Sequence, residues 1–544
     1  MKRRDMWTIG LAALTACGDG AEAPRVSGDL IAEHVSVLAS DAYLGRGPGQ
    51  RGGDMAVDYI AARFEEYGLE APDGSYRQQV PIVGNAPVPA SARLELAGPR
   101  GVLQPAYLDD FVLNPGDAEA THAEGEAELV FVGYGIDAPE NGWNDFEGVD
   151  VAGKFILILV SDPPAPESEP DLFGGDAMTY YGRWTYKYEE AARQGALGAL
   201  IVHETEPASY PWSVVRSGFS GEQFALPLGP SEPRPPALLG WVTVDLARAL
   251  LGLAGLDFDG LKARAAARGF TAVATGITVR GSLDADVRRV ETANVVGLLP
   301  GSERPDEYIL VTSHYDHFGV GAPIDGDSIY NGAYDNASGT ALILAMARAL
   351  ADMPRAPARS VLFVATGAEE QGLLGAERYV QMPVVPLDRT VAEINFDEAN
   401  VWGETTDVTV MGEERTELGA YVRSRAQAMG LTITPEAEPA AGMYFRSDHF
   451  PFARAGVPSL YFNHGWSFVG RPAGWGDSVR TSYNDRDYHQ PSDEIGAEWS
   501  YDGAAQMGNL ALGVILDIAA DESWPNWLEG QEFKAARDAM MSGR

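Results

Sequence analysis

The chain has 544 residues, of which 45% are hydrophobic and 22% are charged. This composition is typical of a globular protein and excludes a chain that is mainly disordered, collagen-like or a coiled coil. The formal net charge is −38 at pH 7, and so acidic a surface repels phosphate backbones, which argues against nucleic acid as a partner. Cys17 is the one cysteine, so an intrachain disulfide and a zinc site built on cysteines are both excluded.

The first 17 residues have the pattern of an export signal. Residues 2–4 are basic, and residues 6–16 are mostly apolar but shorter than the ~20 residues that span a bilayer. The stretch ends in Leu14-Thr15-Ala16-Cys17, which resembles the lipobox of bacterial lipoproteins. The resemblance implies a signal peptide over residues 1–17, a lipid anchor on Cys17, a tether over residues 18–27, and an exported protein facing the periplasm or the medium. The alternative is a frayed N-terminus with a buried thiol.

Amphipathic helices are predicted next, over residues 28–41 and 53–67, with a glycine-rich loop between them. We assign residues 28–117 to the N-terminal part of the main domain. This part precedes a segment of different character.

Residues 118–282 read as a β-rich insertion. Strands are predicted at residues 128–135, 153–159 and 199–202, with a helix at residues 186–194. The segment resembles the protease-associated (PA) domain, and the alternative is an unrelated β-rich insertion. The aromatic residues at positions 180–188 are expected to pack in the core or in loops.

Strands and helices alternate from about residue 290 onward. Strands are predicted over 308–312, 361–365, 391–396 and 459–462, and helices over 341–350, 372–380, 420–429 and 501–518. This alternation predicts an α/β fold whose mostly parallel sheet is sandwiched between helices. We assign residues 283–524 to this catalytic domain and residues 525–544 to a C-terminal appendage on its surface.

Five polar residues follow these strands or lie in nearby loops. They are His314, Asp335, Glu370, Asp397 and His489. Ligands of an open α/β sheet bind at the carboxyl ends of its strands, so we expect these side chains to lie together. Imidazole and carboxylate ligands suit zinc, with manganese or cobalt as substitutes. Five ligands serve two ions if one carboxylate bridges them.

The neighbours of these residues suggest further roles and alternatives. Asp316 would accept a hydrogen bond from the His314 ring, and His317 is a competing ligand. Glu369 would take a proton from metal-bound water while the adjacent Glu370 binds the ion, although a solvated surface pair is the common alternative. Tyr488 would direct its hydroxyl at a developing oxyanion. For Asp335, the alternative is helix N-capping.

In combination, these stretches resemble the co-catalytic di-zinc exopeptidases of the bacterial aminopeptidase and glutamate carboxypeptidase type. The resemblance spans residues ~30–520 and includes the PA-like insertion. The matching stretches are His314-Tyr315-Asp316, Asp335-Asn336-Ala337-Ser338-Gly339, Glu369-Glu370, Asn395-Phe396-Asp397 and Tyr488-His489, with support from Gly45-Arg46-Gly47, Arg446-Ser447-Asp448-His449-Phe450 and Gly456-Val457-Pro458.

The resemblance implies a zinc-exopeptidase fold of the phosphorylase/hydrolase-like type with two zinc ions per chain. One ion would be held by His314, Asp335 and Asp397, and the other by Asp335, Glu370 and His489, with a hydroxide between them. Glu369 would be the general base, and Tyr488 would stabilise the oxyanion. Glu398, directly after Asp397, departs from the apolar residue expected there.

The expected function is therefore hydrolysis of the N-terminal peptide bond of peptide substrates by a metallo-aminopeptidase. The alternatives are a carboxypeptidase, an N-terminal glutaminyl cyclotransferase on the same fold, or a non-catalytic binding protein on this scaffold. A cyclotransferase would be expected to use one metal, so the full ligand set argues against it. Arg446 and His449 are expected near the substrate, with loop packing as the alternative.

Overall fold

The structure, a computed structural model, describes residues 24–229 and 233–543. Cys17, the signal peptide and most of the expected tether lie outside the described residues. The helices are α1 Gly28–Leu38, α2 Arg51–Glu66, α3 Trp184–Arg193, α4 Thr205–Ala208, α5 Trp212–Ser220, α6 Val244–Leu253, α7 Phe258–Ala265, α8 Gly339–Ala351, α9 Leu374–Gln381, α10 Gly419–Ala428, α11 His449–Arg454, α12 Trp475–Arg486, α13 Asp502–Ala520 and α14 Lys534–Met541.

The strands alternate with these helices in the second half of the chain. They are β1 Arg77–Pro87, β2 Arg93–Gly98, β3 Gly101–Leu103, β4 Phe111–Pro115, β5 His122–Phe131, β6 Asp137–Ala138, β7 Trp143–Asn144, β8 Phe155–Leu159, β9 Gly198–His203, β10 Gln223–Ala225, β11 Leu238–Thr243, β12 Val273–Leu299, β13 Arg304–His314, β14 Gly319–Ile324, β15 Asp327–Tyr330, β16 Arg359–Thr366, β17 Thr390–Phe396, β18 Asp407–Met411, β19 Thr432–Ile433 and β20 Ser459–His464.

The main sheet has the strand order β19-β18-β20-β17-β13-β16-β12, with β1 also pairing along β12. Its four central strands, β20, β17, β13 and β16, are parallel. Every residue of β16 and β17 is buried, as expected for parallel strands covered on both faces. The predicted α/β fold with a mostly parallel central sheet is confirmed.

Helices cover both faces of this sheet. On one face, α1, α2, α8 and α13 share a hydrophobic core with the strands. On the other face, Ala376 and Tyr379 of α9 pack with Phe452 of α11 against the sheet. Among the described residues, α13 is the one helix long and apolar enough to cross a membrane, and 61% of that window is buried inside the fold, as in a core helix.

The insertion forms a second sheet that β12 joins to the first. Its order is β4-β11-β9-β8-β5-β12, with β2 also pairing to β12. Because β2 and β4 belong to it, this sheet begins before the predicted boundary at residue 118. The strand β12 also runs through the predicted end at residue 282, so one continuous strand links the two sheets.

Both ends of the described chain are packed against the main domain. Val26, within the expected tether, is buried, and its main-chain N–H donates to Asn509. In the C-terminal segment, Trp527 and Arg537 are buried and donate hydrogen bonds to main-chain carbonyls of the main domain. Residues 525–543 are thus anchored to the main domain through these two buried side chains.

The insertion docks onto the main domain at α11. The rings of Tyr180 and Phe450 have centroids 4.8 Å apart. Arg454 forms ion pairs with Glu189 of the insertion at 2.7 Å and with Glu377 of the main domain at 2.6 Å. The insertion thus contacts the segment of the main domain that leads to the cavity described next.

Candidate metal centre

Three parallel strands bring the first predicted ligands together. His314 is the last residue of β13, Asp397 follows the last residue of β17, and Glu369-Glu370 follow β16 after a short turn. Since β13 lies between β16 and β17 in the sheet, the three strand ends meet at one edge. The predicted convergence of these side chains is what the structure shows.

Asp335 reaches the same edge from the irregular turn that precedes α8. Asp493 fixes this turn, because its two carboxylate oxygens accept hydrogen bonds from the main-chain N–H groups of Tyr334 and Asp335, each at 3.0 Å. Tyr483 donates a further hydrogen bond to Asp493 at 3.2 Å. The alternative role of Asp335 as a helix cap is not observed, since it is Asn336 that accepts from the N–H of Gly339.

Arg46 holds the loops on the other side of the site. Its guanidinium is completely buried and donates hydrogen bonds to four main-chain carbonyls, at distances of 2.6 to 2.8 Å. The four acceptors are the carbonyls of Leu38, Tyr315, Asn331 and Gly332. One side chain therefore ties α1 to the segments that carry His314 and Asp335.

The first cluster is centred on His314. Its Nε2 lies 2.9 Å from Asp397 Oδ1, 3.4 Å from Asp335 Oδ1 and 4.0 Å from Glu369 Oε2. Its other nitrogen, Nδ1, lies 3.2 Å from the main-chain oxygen of Asp316. The carboxylate of Asp316 is farther, at 3.9 Å from Nδ1, and it accepts instead from the main-chain N–H of Glu369.

The second cluster contains two imidazoles. His489 Nε2 lies 3.3 Å from Asp335 Oδ2 and 3.3 Å from Glu370 Oε2. His317 Nδ1 lies 2.5 Å from Glu370 Oε1, and its Nε2 has no hydrogen-bond partner among the described residues. Ligand atoms of His317, Asp335 and Glu370 lie within 4.8 Å of one another. The site therefore offers His489 and His317 as alternative ligands beside the same carboxylates.

The two clusters bring together buried carboxylates whose charge a cation would stabilise. Burial raises the pKa of Glu369 and of Glu370 well above the usual range, and neighbouring carboxylates add to that rise. Burial also opposes ionisation of Asp335, but its hydrogen bond with His489 and the other imidazoles nearby lower its pKa. Buried carboxylates in such numbers are stable as anions only when paired or metal-bound, so the donor set fits zinc.

A cavity of about 280 Å³ opens onto these carboxylates. Tyr488 lines it and stacks on His489, with ring centroids 3.7 Å apart. Arg446 also lines the cavity and is exposed. His449 does not line it, because its side chain is completely buried and stacks on Tyr461 at 5.1 Å. The expectation that His449 contacts substrate is therefore wrong.

Some residues that shape the site were missed in the sequence. Asp493 and Arg480 had no role assigned, and Arg46 was noted only as part of a matching loop. Arg480 lies 3.2 Å from Glu398 in the cavity wall, so Glu398 is an ion-paired wall residue. The position of Asp493 four residues after His489 is a signal that could have been used, whereas the other two contacts join segments distant in sequence.

Parts of this chain are similar to known proteins. Residues 294–515 match the family model of Peptidase family M28. Aminopeptidase YwaD of Bacillus subtilis (strain 168) is 29% identical over 248 residues, which cover 45% of this chain and 49% of that protein. The glutamate carboxypeptidase 2 homolog of Caenorhabditis briggsae is 29% identical over 210 residues, covering 34% of this chain and 25% of that protein.

A solved structure, the aminopeptidase from Aneurinibacillus sp. strain AM-1, has a TM-score of 0.49 and 18% sequence identity, covering 90% of this chain and 93% of that chain. The matched part of the present chain spans about half of the length of the Bacillus subtilis relative and a quarter of the Caenorhabditis relative. All five predicted ligands lie within the region that the family model matches. The similarity to peptidase family M28 thus covers residues 294–515, the part of the chain that carries the candidate ligands.

Proposed function

We propose that this chain is a zinc metallo-aminopeptidase that removes the N-terminal residue of peptides. One observation carries the proposal: the two carboxylate oxygens of Asp335 face different imidazoles, with Oδ1 3.4 Å from His314 and Oδ2 3.3 Å from His489. An aspartate in this position is suited to bridge two cations. The family match of residues 294–515 and the names of the relatives support the same conclusion.

Two sets of residues would hold the two ions. His314, Asp335 and Asp397 would hold one, while Asp335 and Glu370 would hold the other together with His489, with His317 as the competing ligand. Paired zinc ions supply charge that polarises a carbonyl and makes bound water more acidic. The ligands come from separate loops, and the hydrogen bonds of Asp493 and Arg46 described above keep those loops in place.

Glu369 is the group we assign to proton transfer. It lies beside His314, and its side chain is 10% exposed, so it is open to the cavity while largely shielded from bulk water. Its main-chain N–H donates to Asp316, which fixes its position. From there Glu369 would accept a proton from the attacking water and return it to the leaving amine. Tyr488 would donate a hydrogen bond to the developing oxyanion from the cavity wall.

The experiment compares free and blocked peptides. Zinc-loaded protein should cleave aminoacyl anilides and spare their N-acetylated forms. The reverse preference would support a carboxypeptidase, for which exposed Arg446 would offer a site for a substrate carboxylate. Cyclisation of N-terminal glutamine with no hydrolysis would support the cyclotransferase.

A matched pair of variants tests the role of Glu369. Glu369→Gln should bind zinc like the wild type and lose about 10² to 10⁴-fold in kcat, the usual contribution of a general base. Glu404→Gln, at an exposed position outside the cavity, should keep full activity. An active Glu369→Gln variant would show that another group transfers the proton.

Two further assignments concern access and location. We propose that the insertion is a PA-like domain that restricts the cavity to peptides, supported by its contacts with the segment around Phe450 and Arg454.

We also propose that Cys17 carries a lipid that anchors the exported protein. Labelled palmitate should appear on the wild-type chain and not on Cys17→Ser, and equal labelling of both would contradict the anchor.

A further inference from the structure

The helix α12 leads to Tyr488 and His489, but few of its own side chains are buried. Tyr483 is the one non-glycine residue of this helix that is buried. Its ring packs on that of Tyr334, with centroids 4.8 Å apart. Its main-chain oxygen accepts from the N–H groups of Asp487 and Tyr488, at 2.8 and 3.0 Å. The position of His489 therefore depends on the contacts that hold α12 in place.

Arg480 supplies a second attachment for this helix. Its side chain is 17% exposed, and its Nη1 lies 3.2 Å from Glu398 Oε2 and 3.4 Å from His464 Nε2. Nδ1 of His464 lies 2.7 Å from the main-chain oxygen of Gly465, so the ring proton belongs on Nδ1 and Nε2 accepts from the guanidinium. Among the described residues, Glu398 is the one carboxylate that pairs with Arg480. The guanidinium thus ties α12 to the ends of β17 and β20.

Glu398 is fixed to the metal centre through its backbone. It directly follows Asp397, and its main-chain N–H donates to the side-chain oxygen of Asn336 at 2.9 Å, in the turn that carries Asp335. Its φ is 68°, in the left-handed region that residues with a side chain rarely adopt. Such conformations persist where the surrounding structure imposes them, and they concentrate at functional sites. The carboxyl group of Glu398 is therefore presented to α12 from a backbone that is held in place.

The contact between Glu398 and Arg480 spans the candidate metal centre. Glu398 belongs to the segment of Asp397, which lies beside His314, while Arg480 belongs to the helix that leads to His489. Burial raises the pKa of Glu398 to about 8, and Arg480 opposes that rise. Both the protonated and the ionised carboxyl group present an oxygen to the guanidinium. The contact therefore does not depend on the charge of Glu398.

We propose that Glu398 and Arg480 are positioning residues, whose contact fixes α12 and thereby holds Tyr488 and His489 at the second zinc site. The inference rests on the proposed function, because it concerns the same metal centre. Neither residue binds zinc in this assignment, and both act through the segment that follows α12. Loss of the contact frees α12 to move, so the imidazole of His489 spends less time beside Glu370.

Amide hydrogen exchange of the metal-free protein tests the attachment without zinc and without turnover. Arg480→Met should speed exchange at residues 483–488 about tenfold or more, because the pair that holds α12 is broken. Arg480→Lys keeps a charged donor and should retain most of the protection. Arg486→Met is the control, since Arg486 is 69% exposed and pairs with the adjacent Asp487, and it should exchange like the wild type. Equal exchange in the wild type and Arg480→Met would overturn the proposal.

Zinc affinities, measured in competition titrations with a chelator, separate position from charge. Glu398→Met and Glu398→Gln remove the same charge, but glutamine keeps an oxygen that accepts from Arg480. Glu398→Met should therefore bind the second zinc ion about tenfold or more weakly than Glu398→Gln. Arg480→Met should also bind it more weakly than the wild type, although loss of a positive charge by itself strengthens cation binding. Equal affinities of the two Glu398 variants, or tighter binding by Arg480→Met, would overturn the proposal.

These measurements distinguish a failure of the positioning role from a failure of the proposed function. A wild type that binds no zinc and cleaves no peptide would contradict the proposed function, whereas hydrogen exchange would still decide whether Glu398 and Arg480 fix α12. If the wild type binds two zinc ions and cleaves peptides, but Arg480→Met leaves both the exchange and the zinc affinity unchanged, the positioning role is overturned and the proposed function stands.

Discussion

Replacement of Arg46 by lysine tests how the loops around the metal centre are held. Arg46 is completely buried, and its guanidinium donates to four main-chain carbonyls. Lysine keeps the charge but has only three donors at a single point, so at least one of these carbonyls is left without its partner. A lost hydrogen bond to a charged group costs about 1.5 to 3 kcal/mol, and the change in geometry weakens the others, so we expect a loss of about 2 to 5 kcal/mol.

Urea unfolding of the metal-free protein measures this loss. Arg51→Lys is the matched control, because Arg51 is exposed and forms no ion pair with the described residues, and it should change the free energy of unfolding by less than about 0.5 kcal/mol. Arg46→Lys should also weaken zinc binding, since the carbonyls of Tyr315 and Gly332 belong to the segments that carry the ligands. An unfolding free energy of Arg46→Lys within ~0.5 kcal/mol of the wild type would refute this reasoning.

Three further predictions address individual side chains. Elemental analysis of His489→Ala should show one zinc ion per chain in place of two, whereas His317→Ala should keep two. The opposite pattern would show that His317, and not His489, is the zinc ligand. Asp493→Asn should weaken zinc affinity about tenfold or more, because an amide cannot accept from both N–H groups of the Asp335 turn; unchanged affinity in a competition titration with a chelator would contradict this. Burial lowers the pKa of His34 from 6.5 to about 4. Between these two pH values the unfolded chain binds a proton at His34 that the folded chain does not bind, so the free energy of unfolding falls as the pH drops. His34→Phe should remove about 1.4 kcal/mol per pH unit of this slope, and an unchanged slope in acid urea titrations would contradict it.

Local patterns predicted the elements of the main domain well. The helices predicted over residues 28–41 and 53–67 correspond to Gly28–Leu38 and Arg51–Glu66. The strand predicted over residues 391–396 corresponds to Thr390–Phe396. Apolar periodicity and strand-terminal polar residues are local signals, and together they were sufficient to place His314 and Asp397 at one sheet edge.

Features that depend on distant contacts were not predictable in this way. The strand β12 alternates in burial and serves two sheets, so its role depends on partners far away in the sequence. Trp527 and Arg537 resembled a surface segment until their acceptors, the carbonyls of Gly456 and Thr390, were known. His449 lies in a stretch whose first residues, Arg446 and Ser447, line the cavity. Its own side chain is buried against Tyr461, which belongs to a separate strand.

Anomalous diffraction from zinc-loaded crystals, with data on both sides of the zinc absorption edge, tests the central claim most directly. The account predicts two peaks that share Asp335, one next to His314 and Asp397 and the other next to Glu370 and His489 or His317. A single peak, or peaks that do not contact Asp335, would contradict the proposal that this aspartate bridges two ions.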